Sequence, residues 1–434
     1  MFSSGSSAIV LYGTVTLLLF GPLAFGAVEP WSIFILEAGS AALFGFWVIW
    51  QANQEDIQVA GNPLFLPMLC FAALVLAQIT THLTAYRYVT QSQALKYGAY
   101  GLLCFLVVQG LRRTAEVRTL AWVFSAYGFA VAAFALLQSL NSDVKLYWVR
   151  TPRFGGWIYG PYVNHNHYAG LMELLLPIPL VVALFDSVPN PRRALAAGAA
   201  ALMASTIFLC GSRGGMVAFA VQMAIFASLL VKRRKGRKLA LVLGIFLVIT
   251  AGLLTWIGGG KLAERMESIH TEAHSELSGG TRLTIDRDGL KMFQQKPIWG
   301  WGLGVFPTVY PKYRSFYTNL FVNEAHNDYL QLLVEMGAVG FAIMLWFLLT
   351  AYYKAGKKIG NWTEDPNGAL ALAAMLGITG ILVHSFVDFN LQVPANAALF
   401  YVLCVIAAME PRFRSQNRKR QRKVSTPFED QMPA

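Results

Sequence analysis

The chain has 434 residues, 56% of them hydrophobic and only 13% charged, with a formal net charge of +12. Its mean hydropathy is +0.48. A water-soluble domain needs more charge than this to cover its surface, so the balance excludes an ordinary soluble enzyme and points to one polytopic membrane domain.

A bilayer core of about 30 Å is crossed by about 20 apolar residues in a helix. Twelve apolar blocks qualify, centred near Thr16, Ala41, Ala72, Gly101, Gly128, Leu176, Leu202, Val221, Phe246, Ala342, Met375 and Val402. No Lys or Arg precedes the first block, so it lacks the basic region of a cleaved signal peptide and is expected to stay as a helix. The sequence therefore predicts an all-α integral membrane protein of about twelve spans. The membrane domain covers residues 1–410, with a long loop at 258–325 between the ninth and tenth helices that carries short amphipathic helices. A basic tail occupies 411–434. Cys70, Cys104, Cys210 and Cys404 each lie in or at the end of an apolar block and read as small buried hydrophobes.

With the tail in the cytoplasm, threading backwards through twelve crossings puts all five basic clusters on the cytoplasmic side. They are Arg112–Arg118, Arg192–Arg193, "KRRKGRK" at Lys232–Lys238, Lys354–Lys358 and the tail itself. Basic residues anchor topology beside anionic lipid, and no nucleic-acid motif accompanies them; membrane lipids are the expected partners, and nucleic acid is not.

Three informative segments then fall outside. The first is Asn141–His167, ending "NHNH" with Asn164, His165, Asn166 and His167. The second is "CGSRGG" at Cys210–Gly215, where Arg213 stands between two apolar blocks. It reads either as a snorkelling interfacial arginine or as an anion site, because a guanidinium holds phosphate bidentately and glycines admit a ligand to the backbone. Ser212 is a candidate cap for the helix that follows. The third is the long loop. Within it "GGTRLTIDRDGLKMFQQKPIWGWGLGVF" predicts an amphipathic helix with Leu283, Leu290 and Phe293 near one face, stopped by Pro297 and followed by a Gly-rich turn, and with Arg282 at its start. Such a helix is expected to lie along the membrane surface. Asp286 and Asp288 can be a metal pair or simply a polar helix face, and the second reading needs no metal. His165 and His167 are expected to shape a polar entrance. His270 and His274 have i, i+4 spacing, but no third ligand is evident and they read as solvated loop.

The loop ends in "NEAHNDYLQLLVEMGAVG", where His326 opens an apolar helix expected to begin at Asn323 or Glu324. At 100° per residue, Leu330, Leu333, Gly337 and Gly340 share its face, and the two glycines should let another helix pack close. Glu335 lies on the opposite side and should face a different partner. A histidine at a membrane surface can serve as a base near neutral pH.

"HNDYLQLLVEMGAVG", "GSRGG", "YVNHNHYAGLMELLLP" and the "TRLTIDRDG…GWGLGVF" segment together resemble the O-antigen ligase and polymerase superfamily, by motif from about Tyr162 to Gly340 and by topology over the whole chain. The resemblance implies a membrane glycosyltransferase that moves a glycan from an undecaprenyl-diphosphate carrier to an acceptor hydroxyl on the periplasmic side. That acceptor is lipid A-core for a ligase and a carrier-linked glycan for a polymerase. It implies a bacterial inner-membrane location, His326 as the essential histidine, Arg213 and Arg282 as diphosphate-binding arginines, and Asn327, Tyr329, Asn164 and Asn166 in support. No cofactor or metal is expected. No large soluble extension is evident, which argues against a protein acceptor. Displacement at an α-linked donor would invert the anomeric centre. A transporter is the competing class; it would make Glu37, Glu173 and Asp388 the residues that matter.

Overall fold

The computed structural model describes residues 4–140, 145–151, 157–185, 188–231, 279–318 and 321–410, and part of 243–255. The candidate pair His270 and His274, the Lys232–Lys238 run and the basic tail lie outside the described residues. Thirteen helices of eight residues or more are described in full: α1 (Ser4–Leu23), α2 (Pro30–Ala52), α3 (Phe65–Thr80), α4 (Arg87–Gly110), α5 (Thr114–Ser139), α6 (His165–Leu175), α7 (Pro177–Leu184), α8 (Asn190–Leu209), α9 (Arg213–Val231), α10 (Gly279–Gln295), α11 (Asp328–Gly356), α12 (Pro366–His384) and α13 (Pro394–Ala408). Among the described residues there is no strand, only two isolated bridges.

Among the described residues, seven helices are long and apolar enough to cross a membrane: α2, α5, the α6–α7 pair taken together, α8, α9, α11 and α12; the Ser7–Leu23 part of α1, α3 and α13 are shorter apolar spans. α4 is long but opens "RYVTQSQALK", too polar to match them. The protein is a helical membrane protein. Its outer helices leave Phe34, Ile49, Leu69 and Leu76 exposed, an apolar exterior that lipid can cover and water cannot.

The α6–α7 pair runs through the middle of the bundle, with every residue of α6 buried, and α13 is buried along its whole length. Pro177 separates α6 from α7, since it has no N–H to continue the helix. Polar groups inside the bundle pair with one another. Glu173 on α6 meets His384 on α12 at 2.8 Å, and the Gln222 amide on α9 donates to the Glu173 and Leu376 carbonyls at 2.9 Å each. A second, smaller apolar core forms outside the bundle from Ile285, Met292, Phe306, Tyr310 and Val334, joining α10 to the start of α11.

Two expectations change. α11 begins at Asp328, because Asn327 is its cap: its side chain accepts from the Leu330 amide at 3.2 Å, and the Gln331 side chain holds the Ala325 amide outside the helix. α11 also breaks at Gly337 (φ 64°, ψ −172°), a conformation essentially confined to glycine. Gly337 receives the Gly-rich turn rather than a helix. A Cβ there would stand 2.2 Å from the Ile298 carbonyl oxygen, and one on Gly300 would stand 2.3 Å from that of Glu335. Across this contact Trp301 and Gly302 donate to the Val334 and Glu335 carbonyls at 2.9 Å, and the Ala338 amide donates to Pro297 at 2.8 Å. The Glu335 carboxylate faces the same turn, accepting from the Gly304 and Phe306 amides at 2.7 and 3.2 Å.

Candidate active site

The N-terminus of α6, the start of α9, the first turn of α10, the segment before α11 and the α12–α13 connection meet at one end of the bundle. The connection carries Asp388. One of its carboxylate oxygens lies 3.8 Å from His326 Nδ1 and 3.8 Å from His167 Nε2. Phe389 packs edge-on against both imidazoles, each at 4.7 Å. Arg282 donates to the Val387 carbonyl at 2.6 Å, beside the same carboxylate. Burial alone would raise the Asp388 carboxyl. The positive field of His167, His326, His384 and Arg282 outweighs it and holds the group below the usual carboxylate range.

Each member is fixed by backbone. The Asp328 amide donates to the Ser385 carbonyl at 3.0 Å, while its carboxylate accepts from the Ser385 hydroxyl and the Leu391 amide. That staple ties the start of α11 to the connection and so brings His326 to Asp388. His326 itself has φ 55°, a left-handed conformation that histidine tolerates better than most residues and that turns its ring away from the helix path. On the other side, the Asn396 amide on α13 holds the His167 carbonyl at 2.9 Å.

The other expected site residues divide into those near this cluster and those used for structure. Arg213 is exposed at the first residue of α9 and has no ion-pair partner among the described residues. Its neighbour Gly214 lies against His384; a Cβ there would be 2.6 Å from the ring nitrogen, so only glycine lets α9 start this close. Asn164 caps α6, accepting from the Asn166 amide at 2.8 Å, and Asn166 is buried in that first turn. Asn327 caps α11. Tyr329 donates to the Leu382 carbonyl at 2.6 Å and packs on Phe386. His165 binds the Cys210 carbonyl at 2.9 Å and stacks on Trp157 at 4.5 Å. It therefore shapes the surroundings, whereas His167, expected in the same role, belongs to the Asp388 cluster.

Asp388 and Glu173 were singled out by the sequence only as transporter carboxylates, and His384 was not singled out at all. The usable signal was "HSFVDFN", two ionisable residues four apart at the end of an apolar helix. Both carboxylates belong to this polar end of the bundle, while Glu37 on α2 lies within electrostatic reach of Lys96 instead. The pair Asp286 and Asp288 is split. Asp288 is taken up by the Ser315 amide and hydroxyl at 2.9 Å and by Lys291 at 3.0 Å. Among the described residues no three His, Cys, Asp or Glu side chains converge to hold a metal ion. On α10, Leu283 and Leu290 point outward as an exposed apolar face, and the opposite stripe of Ile285 and Met292 makes the inner contact.

Residues 198–345 match the family model described as O-antigen ligase. The matched segment contains Arg213, Arg282 and His326, the residues the motif resemblance selected, and it ends before Asp388. No curated protein matches the chain.

Proposed function

We propose, from the match of residues 198–345 to the O-antigen ligase family model, that the chain is an inverting glycosyltransferase of that superfamily and takes a glycan from an undecaprenyl-diphosphate carrier. Its acceptor is a hydroxyl of lipid A-core. The reading rests chiefly on one observation: two imidazoles, His326 and His167, share one buried, ionised carboxylate beside an arginine. The protein crosses the bacterial inner membrane twelve times, with this site facing the periplasm and the tail in the cytoplasm.

In the reaction, Asp388 holds the proton of His326 on Nδ1, which makes Nε2 the unprotonated, basic nitrogen. Nε2 takes the proton of the acceptor hydroxyl as its oxygen attacks the anomeric carbon. Contacts of 3.8 Å shorten into hydrogen bonds when substrate closes the site, as catalytic contacts in empty enzymes commonly do. The carbon–oxygen bond to the diphosphate breaks on the opposite face, so an α-linked donor gives a β-linked product. Arg213 and Arg282 stabilise the charge that builds on the leaving diphosphate.

The test is reconstitution in detergent with an undecaprenyl-diphosphate-linked glycan and alternative acceptors. Glycosylated lipid A-core supports ligation. A lengthening carrier-linked glycan instead means the same chemistry with a polymerase's acceptor. No product with either acceptor, together with solute flux into liposomes, removes the enzyme reading. Arg213→Ala and Arg282→Ala should abolish transfer in protein that still inserts, and Arg→Lys should rescue only in part, because a point charge loses the planar fork. Orientation is read separately: cysteines at Lys235 and Ser425 should be shielded from an impermeant thiol reagent, and one at Thr271 should label.

A further inference from the structure

A cavity of about 130 Å³ opens at the end of the bundle where α5, α8 and α12 begin and α7 finishes. α12 spans 19 residues from this end, at Pro366, to His384 in the histidine cluster, so the two sites are roughly 28 Å apart at 1.5 Å per residue. The walls are apolar, with Val181, Ala369 and Ala373 among them, and Trp122, Arg118 and Arg192 also line it. Both arginines are exposed. Neither has an ion-pair partner among the described residues, and nearby acids are already engaged. Glu116 accepts from the Arg112 and Arg113 amides at 2.6 and 2.8 Å, and Asp365 caps α12 through the Asn367 and Gly368 amides at 3.1 Å.

We propose that this cavity is a binding site for an anionic glycerophospholipid, with one acyl chain entering the apolar space and the phosphate held by Arg118 and Arg192. An apolar slot between helices with two unneutralised guanidinium groups in its lining matches a lipid with a negative head and a greasy body. Basic pockets between membrane helices bind anionic headgroups by this combination. Guanidinium fixes a phosphate through paired donors, and tryptophan suits the boundary between headgroup and chain. A zwitterionic lipid of the same chain length satisfies the slot but gains less from the two charges. The inference does not depend on what reaction the other end performs.

The test uses the full chain in nanodiscs of equal parts phosphatidylglycerol and phosphatidylcholine with matched acyl chains, with co-released lipid counted by native mass spectrometry. Two arginines predict that phosphatidylglycerol is retained over phosphatidylcholine by roughly 10- to 30-fold. Arg118→Gln/Arg192→Gln, both at exposed positions, should bring the ratio near one without changing elution or melting. Ala369→Trp fills the slot but keeps both charges and should also lose the retained lipid. Equal retention of the two lipids by the unaltered protein, or an unchanged ratio in the double variant, overturns the site. Normal retention in Ala369→Trp means adsorption to a basic surface and overturns the cavity as its location.

Discussion

Glu335 and Asp388 are both buried carboxylates, 3% and 1% exposed, and the protein treats them in opposite ways. Glu335 is saturated. It accepts from two backbone amides of the Gly-rich turn and from the Gln331 amide at 3.3 Å. Asp388 accepts only the Phe389 amide at short range, 2.8 Å; two imidazoles stand off at 3.8 Å, and its second oxygen has no hydrogen-bond partner among the described residues. A buried charge used to hold a fold has its bonds completed, since an unmet one costs stability. One left incomplete among titratable neighbours retains capacity for a substrate or a proton. The Glu-x-Gly motif therefore belongs to architecture, and the residues around Asp388 are those to which the proposed chemistry is assigned, although both adjoin the same helix.

The sharpest way to break this contrast is His326→Ala, which should lower transfer by roughly two to four orders of magnitude, the usual worth of general acid–base catalysis. Asp388→Asn should follow it downward by a smaller factor. Both should melt close to the unaltered protein; if Asp388→Asn instead unfolds with activity per folded molecule intact, Asp388 is structural after all. Gly337→Ala should do the reverse. It adds about 1–3 kcal/mol of backbone strain to a clash with the Ile298 carbonyl, so folded yield collapses. Glu335→Ala should cost about 1–3 kcal/mol for each amide it leaves bare, read as a lower melting temperature; unchanged melting would remove its assigned role.

Two smaller effects sharpen the boundary between the regions. Burial raises the Glu324 carboxyl to about 8, a shift partly offset by its bond with Gln331 and reinforced by Glu335 and Asp328. A raised carboxyl favours the folded state most below its ordinary range near 4.5. That contribution should fade as pH climbs from about 5 to about 8 and be gone above it. Glu324→Gln should flatten the dependence of melting on pH over that window, and a slope that survives the substitution assigns the titration elsewhere. Finally, His165→Ala should cost less activity than His167→Ala, because His165 is engaged by Cys210 and Trp157 while His167 shares Asp388. The opposite ranking would put the chemistry on the wrong face of α6.

Much of the site could be read one segment at a time. His326 and Arg213 announce themselves as polar groups bordering apolar blocks, whereas Arg282 stands out only through the family resemblance of its segment. Asp388 shows locally only as an ionisable residue in "HSFVDFN", at the end of an apolar helix; its place in the cluster comes from His167, more than 200 positions earlier in the chain. On α10, Leu283 and Leu290 form the exposed apolar face, while Phe293, expected beside them, packs with Ile285 and Met292 on the inner side; a helix apolar on two sides offers two faces, and periodicity alone does not say which is turned inward. α11 starts at Asp328 rather than at Asn323 or Glu324 because Asn327 caps through its own side chain, while Gln331 draws the Ala325 amide away from the helix.

The sequence by itself determined that this is a helical membrane protein, since long apolar blocks with few charges leave the backbone no alternative but to satisfy itself within helices. It also marked several residues, His326 and Arg213 among them, as too polar for their surroundings, though not His384. Tertiary structure alone decided which of them meet. Gly337 becomes a break because the turn carrying Ile298 and Gly300 docks against it, and His326 becomes a candidate base because Asp328 ties its segment to the connection that carries Asp388. Periodicity and composition act over a few turns of chain, whereas the field around a carboxylate depends on whichever segments packing brings within a few ångströms of it.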